Sequence, residues 1–476
     1  VKDGWPLMLD AWFPQPDTFE EVSDGRFAPA RPRPHVHRPD VLHTIAIARR
    51  NLLAVFDIHD YTLRSSALRL LGRQLVIINT PEDIKTIFAS RHQTYERKTP
   101  QMRRALEMLL GDGLFISDGS TWASRRPLVA DIVHKNRVPT FAVAMEDVAA
   151  DFAERWLARG PDRPFDALSD MAELTAEIIA RAVFGNRLGK EAAREVIEGF
   201  GDYQAQVDSF NMGYFIGFNE GLPIWRGRRL RRGVKRVHTV IEKVVTDHIA
   251  GHGDHHSMLD LLVQRQARSP DLGLDVTALR NEAATIFMAG YETTAATLTW
   301  AWYLLAKAPW VEERLHAELD AVVGDRTPSH ADVLNLPWCR CIIEETLRLY
   351  PPVPFLARQA AKDDTLHGIA IEKGALVLIV PWLLHRTESL WPDAHAFKPE
   401  RFLDERPQPY SYIPFSAGPR ICAGLNFGLT EAILCLAVLA NRVRVRLVPG
   451  TEVLPTCRLT LRPQNGMPVT AEARRK

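Results

Sequence analysis

The stretch Phe415-Ser416-Ala417-Gly418-Pro419-Arg420-Ile421-Cys422-Ala423-Gly424 constrains this chain most, because it sets one cysteine just ahead of a long helical pattern. A Pro-rich, aromatic segment, Tyr410 to Pro414, precedes it, and a helical pattern over Leu425–Asn441 follows. At a helix N-terminus, unpaired N–H groups and the helix dipole favour thiolate over thiol. Gly418 and Gly424 permit a tight turn and let the backbone approach a flat ligand closely. Phe415 can pack on the sulfur side of such a ligand, and Arg420 can pair with a carboxylate. Taken by itself, Cys422 also reads as a buried structural thiol, as most free cysteines do.

The remaining cysteines, Cys339, Cys341, Cys435 and Cys457, bring the number to five with no regular spacing. That is not a secreted disulfide framework, and Cys339–Cys341 has no second pair to complete a zinc site. A reducing cytoplasm is the expectation. A net charge of +1 offers no basic excess for nucleic acid. Val1–Asp40 holds no apolar run long enough to span a bilayer and no signal-peptide pattern, so no transmembrane anchor is expected.

Helical patterns cover Val138–Arg159, Ser169–Phe184, Val276–Ala306, Trp310–Val323 and Ala331–Tyr350. Leu70–Ile78 reads as strands around Gly72, and Thr80-Pro81 starts a helix with Thr80 as N-cap. The tail, Val443–Val469, reads as short strands and turns. A length of 476 residues would allow two or three domains. No Gly/Ser-rich linker divides the chain, so the reading is a surface arm over residues 1–40 and one mainly α unit with small β-sheets over 41–476.

Two further motifs matter. Ala289-Gly290-Tyr291-Glu292-Thr293-Thr294 lies inside a long apolar helical pattern and is poor helix-forming sequence. One reading has Thr293 bonding back to the Ala289 carbonyl and bending the helix slightly. In the other, the bend opens a pocket beside Gly290, where Thr293 and Glu292 manage protons. Glu345-Thr346-Leu347-Arg348 puts an acid and a base on one helix face. Leu349-Tyr350-Pro351-Pro352-Val353-Pro354 continues it, and Pro399-Glu400-Arg401-Phe402 follows ahead of the cysteine loop.

In this order the motifs resemble the cytochrome P450 family, whose fold is a mainly α prism with a β-rich side. The resemblance implies a haem-thiolate monooxygenase that uses haem b with Cys422 as iron ligand. Thiolate ligation pushes electron density toward oxygen and favours O–O cleavage. It implies that Thr293 holds reduced dioxygen, that Glu292 links it to solvent protons, and that Glu345, Arg348 and Arg401 form a buried triad fixing the cysteine loop. Trp122-Ala123-Ser124-Arg125-Arg126 is similar to a family helix in which Trp122 and Arg126 hold a haem propionate, with Arg358 and Arg420 as further candidates. Many relatives have His at Arg125, so its role stays open.

The resemblance places substrate against Met288, Ala289, Val353 and Leu459, which implies an apolar small molecule to hydroxylate or epoxidise. Phe210 to Trp225 is aromatic and Arg226 to Arg236 basic; together they read as an apolar mouth, or as core and a solvated face. No flavin- or iron–sulfur-binding stretch is evident. Electrons from NAD(P)H are therefore expected from separate proteins, which the resemblance implies are a ferredoxin or flavodoxin with its reductase. Alternatives are a peroxide-using or peroxide-rearranging haem-thiolate enzyme, and a haem sensor or carrier; Glu292 and Thr293 argue against both.

Overall fold

The apolar pattern after Asp275 becomes one uninterrupted α-helix, Val276–Lys307, which we call the central helix. Asp275 caps it by accepting the N–H of Ala278 at 2.7 Å. Ala308, held at φ −126° and ψ 73° ahead of Pro309, ends it. Apolar side chains occupy nearly every face, so the helix can satisfy them only by running through the middle of the protein, and most of them are buried. This computed structural model describes residues 18–23, 26–48, 50–70, 72–185, 190–206, 227–253, 256–403, 406–457 and 460–474.

Among the helices packed on the central one are Ala167–Phe184, Gly227–Ile249, the triad helix Pro337–Leu349 and the cysteine helix Leu425–Arg442. Large aromatics lock these contacts. Trp300 of the central helix stacks on Tyr350, just past the triad helix, with ring centroids 3.9 Å apart and planes 4° from parallel. Such a pair adds about 1 kcal/mol beyond the area it buries. The cysteine helix is, among the described residues, the one helix long and apolar enough to cross a membrane; 67% of it is buried inside the protein, which makes it a core helix.

The β structure is peripheral. Strands β1 (Thr18–Ser23) and β2 (Arg26–Pro32) form a hairpin. A four-stranded sheet has the order β3-β4-β9-β6, from β3 (Ser66–Leu70), β4 (Arg73–Ile78), β6 (Leu356–Gln359) and β9 (Leu376–Ile379). In it β4 and β9 run parallel, the other pairs antiparallel. β5 (Phe165–Asp166) joins β10 (Val443–Leu447) and β13 (Pro468–Ala473). β7 (Asp364–Leu366) pairs with β8 (Ile369–Ile371), and β11 (Pro455–Cys457) with β12 (Leu461–Pro463). Mainly α with small sheets is therefore the observed class.

Helix Val138–Arg159 has the expected bounds, and Thr80 caps its helix by accepting the N–H of Asp83. Two readings need correction. The pattern over Ala331–Tyr350 is two elements, a 3₁₀ segment His330–Asn335 and the triad helix, because Pro337 pushes Leu336 to φ −114° and ψ 59°. The described part of the presumed surface arm is also not all surface. Phe27 and Ala30 are buried; the Ala30 N–H donates to the Tyr303 hydroxyl at 3.0 Å, and its carbonyl accepts the Tyr350 hydroxyl at 2.7 Å. Two buried phenols need partners, and the β1–β2 hairpin supplies them, with Glu20 of β1 accepting the Tyr303 hydroxyl at 2.7 Å.

Candidate active site

The cysteine loop closes on itself through the Cys422 N–H, which donates to the Phe415 carbonyl at 2.8 Å. Gly418 makes the turn possible. Its φ is +69°, and a Cβ there would stand 2.0 Å from the Phe88 carbonyl oxygen, so neither the conformation nor the contact admits a side chain. Gly424 carries no such demand: its φ is −85°, and it serves as N-cap of the cysteine helix. The expected tight turn therefore belongs to Gly418 alone.

Cys339, Cys341, Cys435 and Cys457 are buried, whereas the Cys422 sulfur opens onto a cavity of about 640 Å³. Enclosure by protein pushes the Cys422 thiol up from its ordinary value; the Gly424 N–H and Arg126 pull the other way. The helix N-terminus thus supplies only part of the balance. A cation bound at the sulfur would reverse it, as metals do for thiols.

The same cavity is lined by Lys98, Arg126, Arg358 and Arg420, with Trp122 among them. Arg420 lies over the Trp122 ring at 4.4 Å and donates to the Ser117 carbonyl at 3.0 Å and to Asp118 at 3.2 Å; its Nε has no partner among the described residues. Arg358 is 3% exposed and donates to the Ala357 carbonyl at 2.9 Å. Burial, then Arg420, bring Arg358 down to about 10, against Asp118. Burial, then Arg358 and Arg420, hold Lys98 well below its ordinary value. Asp118 is the carboxylate that opposes both shifts. The cluster is short of negative charge, and buried cations without anions are costly. A dianionic, flat, apolar ligand with an iron for Cys422 answers that shortage, so these residues fit haem and its two propionates. Lys98 was missed in the sequence because nothing local distinguishes it from a surface lysine.

Arg125, the position left open, turns away from this cluster. It donates to Glu282 at 3.0 Å and to the Asp112 carbonyl at 2.8 Å, while Glu282 accepts the Leu114 N–H at 3.1 Å. It ties helix Gly119–Ile132 to the central helix.

Met288, Ala289, Gly290, Glu292, Thr293 and Val353 all line the cavity. The Thr293 hydroxyl donates back to the Ala289 carbonyl at 2.8 Å, as the local reading expects. Gly290 has a packing reason as well: a Cβ would lie 2.8 Å from Ile179 of helix Ala167–Phe184. From that helix the Thr175 hydroxyl donates to the Tyr291 carbonyl at 2.7 Å. Leu459 and the segment Phe210–Trp225 lie outside the described residues.

A buried acid also escaped the sequence reading. Glu431, fully buried on the cysteine helix, accepts the Thr294 hydroxyl at 3.1 Å through one oxygen, and its other oxygen has no partner among the described residues. Burial pushes its carboxyl up to about 8. A lone acid inside the apolar run Leu425–Val438 was the available signal.

The triad forms as expected. Glu345 and Arg348, both fully buried, make two parallel bonds of 2.7 and 2.8 Å, and Arg401 Nε adds a third to Glu345 at 3.1 Å. Arg348 also donates to the carbonyls of His385, Ala394 and Ala396, and the Lys398 N–H donates to Glu345.

A family model described as Cytochrome P450 matches residues 34–469. Cyclooctatin synthase of Streptomyces melanosporofaciens is 33% identical over 430 residues, covering 88% of this chain and 91% of that protein. Cyclooctat-9-en-7-ol 5-monooxygenase of the same organism is 30% identical over 353 residues, covering 72% and 75%. The crystal structure of the cytochrome P450DA heme domain superposes with a TM-score of 0.74 at 24% identity, covering 86% of this chain and 90% of that one, a likeness of fold. With a thiol facing a cation-rimmed cavity and a family match over most of its length, this chain belongs to the cytochrome P450 family.

Proposed function

We propose that this haem-thiolate monooxygenase hydroxylates or epoxidises an apolar small molecule, with electrons from NAD(P)H arriving through a separate ferredoxin or flavodoxin and its reductase. The observation that carries the reading is that Cys422, Glu292 and Thr293 border one cavity whose other walls are mostly apolar, among them Met288, Val353 and Phe355. Two relatives carry names built on cyclooctatin and on an unsaturated alcohol that is oxygenated. An unsaturated apolar alcohol is accordingly the substrate class favoured for this chain.

Bound haem supplies dioxygen activation, favoured by its thiolate ligand. The chain's residues supply the rest. Cys422 provides the thiolate, while Lys98, Arg126, Arg358, Arg420 and Trp122 hold the propionates. Thr293 and Glu292 deliver protons to reduced dioxygen. The balance explains why they matter: dioxygen, two electrons and two protons turn R–H into R–OH and water. If the protons arrive at the wrong place, the same electrons and protons leave as hydrogen peroxide. Phe415 packs at the sulfur side, and the triad Glu345–Arg348–Arg401 sets the geometry of the loop. A cytoplasmic location fits this scheme.

The test is the visible spectrum of dithionite-reduced protein with carbon monoxide, for wild type and Cys422→Ala. A strongly red-shifted Soret band, lost in the variant, is expected. No haem, or an unshifted band in wild type, would remove the basis of the reading. Thr293→Ala should divert NADPH electrons from product to hydrogen peroxide; unchanged coupling would refute its role.

A further inference from the structure

Glu292 is held from outside its own helix. Its Oε1 accepts the hydroxyl of Thr460 at 2.5 Å, across 168 positions of sequence. Thr460 is 7% exposed, lies next to β12 and lines the cavity with Glu292.

The ground under Thr460 is firm. The adjacent Leu461 N–H donates to the Pro352 carbonyl at 3.0 Å, and the Leu461 carbonyl accepts Trp300 Nε1 of the central helix at 3.1 Å. On the other strand, Asn51 donates to the Pro455 carbonyl at 2.9 Å and accepts the Cys457 N–H at 3.3 Å. Bonds to the central helix, the segment after the triad helix and the N-terminal region therefore fix the hairpin. Its threonine hydroxyl is thus a donor set on a backbone that is bonded on both sides of the hairpin.

A glutamate on a helix has three rotatable bonds, and a carboxylate meant to pass protons works only within hydrogen-bond reach of its target. A hydroxyl has one donor and two acceptor sites, so the donor held by Glu292 leaves Thr460 able to accept from a water in the cavity.

We infer that Thr460 is a positioning residue for proton delivery: its hydroxyl holds the Glu292 carboxylate at the cavity wall beside Thr293. This rests on the proposal that Glu292 and Thr293 deliver protons. It also makes the β11–β12 hairpin, a wall of the substrate cavity, part of the proton machinery.

The test uses haem-loaded protein, reduced, mixed with dioxygen and frozen. Cryoreduction by ionising radiation followed by stepwise annealing lets EPR read the proton-transfer step without any substrate. Wild type, Thr460→Val, Thr460→Ser and Glu292→Gln are compared. Losing a hydrogen bond to a charged group predicts that Thr460→Val slows the step by roughly tenfold or more at a fixed annealing temperature. Thr460→Ser should restore it. A crystal structure of Thr460→Val should show the Glu292 carboxylate moved from its wild-type position. If Glu292→Gln anneals like wild type, the proton-delivery reading fails and takes this inference with it. If Glu292→Gln is slow but Thr460→Val is not, only the role of Thr460 is overturned. Equal slowing in Val and Ser variants would indicate packing alone, and would overturn it too.

Discussion

The carbonyl of His385 accepts Nη1 of Arg348 at 2.6 Å, and this contact carries the buried triad toward the cysteine loop. The ring of His385 continues the connection by accepting the N–H of Ile413 at 3.0 Å through Nε2. Ile413 in turn accepts the Ser416 N–H at 3.0 Å, one residue past the Phe415 carbonyl that closes on Cys422. A chain of short polar contacts thus runs from Glu345 to the sulfur's own loop.

Breaking that chain at its origin should be severe. Glu345→Ala leaves Arg348 charged and fully buried with only carbonyl partners, which costs about 3–5 kcal/mol. Urea unfolding should show a loss of that size, and purified protein should contain little haem. Wild-type haem content in a destabilised variant would separate the triad from the loop.

His385 also predicts an acid limit. Its Nε2 must accept from Ile413, so the ring is neutral with the proton on Nδ1, which donates to the Arg348 carbonyl at 3.2 Å. Burial, then Arg348, brings it down to about 3 from the ordinary 6.5. The unfolded chain takes a proton below 6.5 while the folded one refuses it. Stability is therefore complete above pH 6.5 and declines as pH falls toward about 3, by roughly 1.4 kcal/mol per unit for this one group. Unfolding free energies measured from pH 7 to pH 5 should fall less steeply, by one proton, in His385→Asn. Parallel slopes would mean that another group sets the limit.

Gly418→Ala should damage the cysteine loop specifically. The new Cβ would stand 2.0 Å from the Phe88 carbonyl at a left-handed φ, and strain of this kind costs about 1–3 kcal/mol. The expected result is weakened thiolate ligation, read as a growing unshifted Soret fraction in the carbon monoxide spectrum. Gly424→Ala, at φ −85° with the new Cβ in ordinary van der Waals contact with the Cys422 sulfur at 4.0 Å, should spare that signal.

Arg358 makes a prediction with opposite signs. It is a nearly buried cation in a cluster short of carboxylates, so Arg358→Leu should stabilise the haem-free protein. If Arg358 holds a propionate as proposed, the same change would remove a charge-assisted contact worth about 1.5–3 kcal/mol. Haem transfer to excess apomyoglobin should then be about ten- to a hundredfold faster. A variant less stable without haem, or no faster in transfer, would contradict this assignment.

Much of the site was legible because its parts are local. The cysteine loop and the Glu345–Arg348 pair each lie within ten residues, so spacing alone places their members together on a turn or a helix face, and Glu292 and Thr293 are neighbours in the chain. Long apolar periodicity likewise marks Val276–Lys307 and Leu425–Arg442 as helices that must be buried. The hydrophobic pattern acts over a few turns, and those turns are written in order along the chain.

What only the tertiary structure decided are the partners that come from elsewhere. Thr460 reaches Glu292, the β1–β2 hairpin satisfies Tyr303 and Tyr350, Lys98 joins the arginines, and Ile179 explains why residue 290 has no side chain. Each is a contact between distant segments, and its residue has an equally good local reading as loop, arm or surface. Burial removes water as the alternative partner, and that makes these distant pairings obligatory.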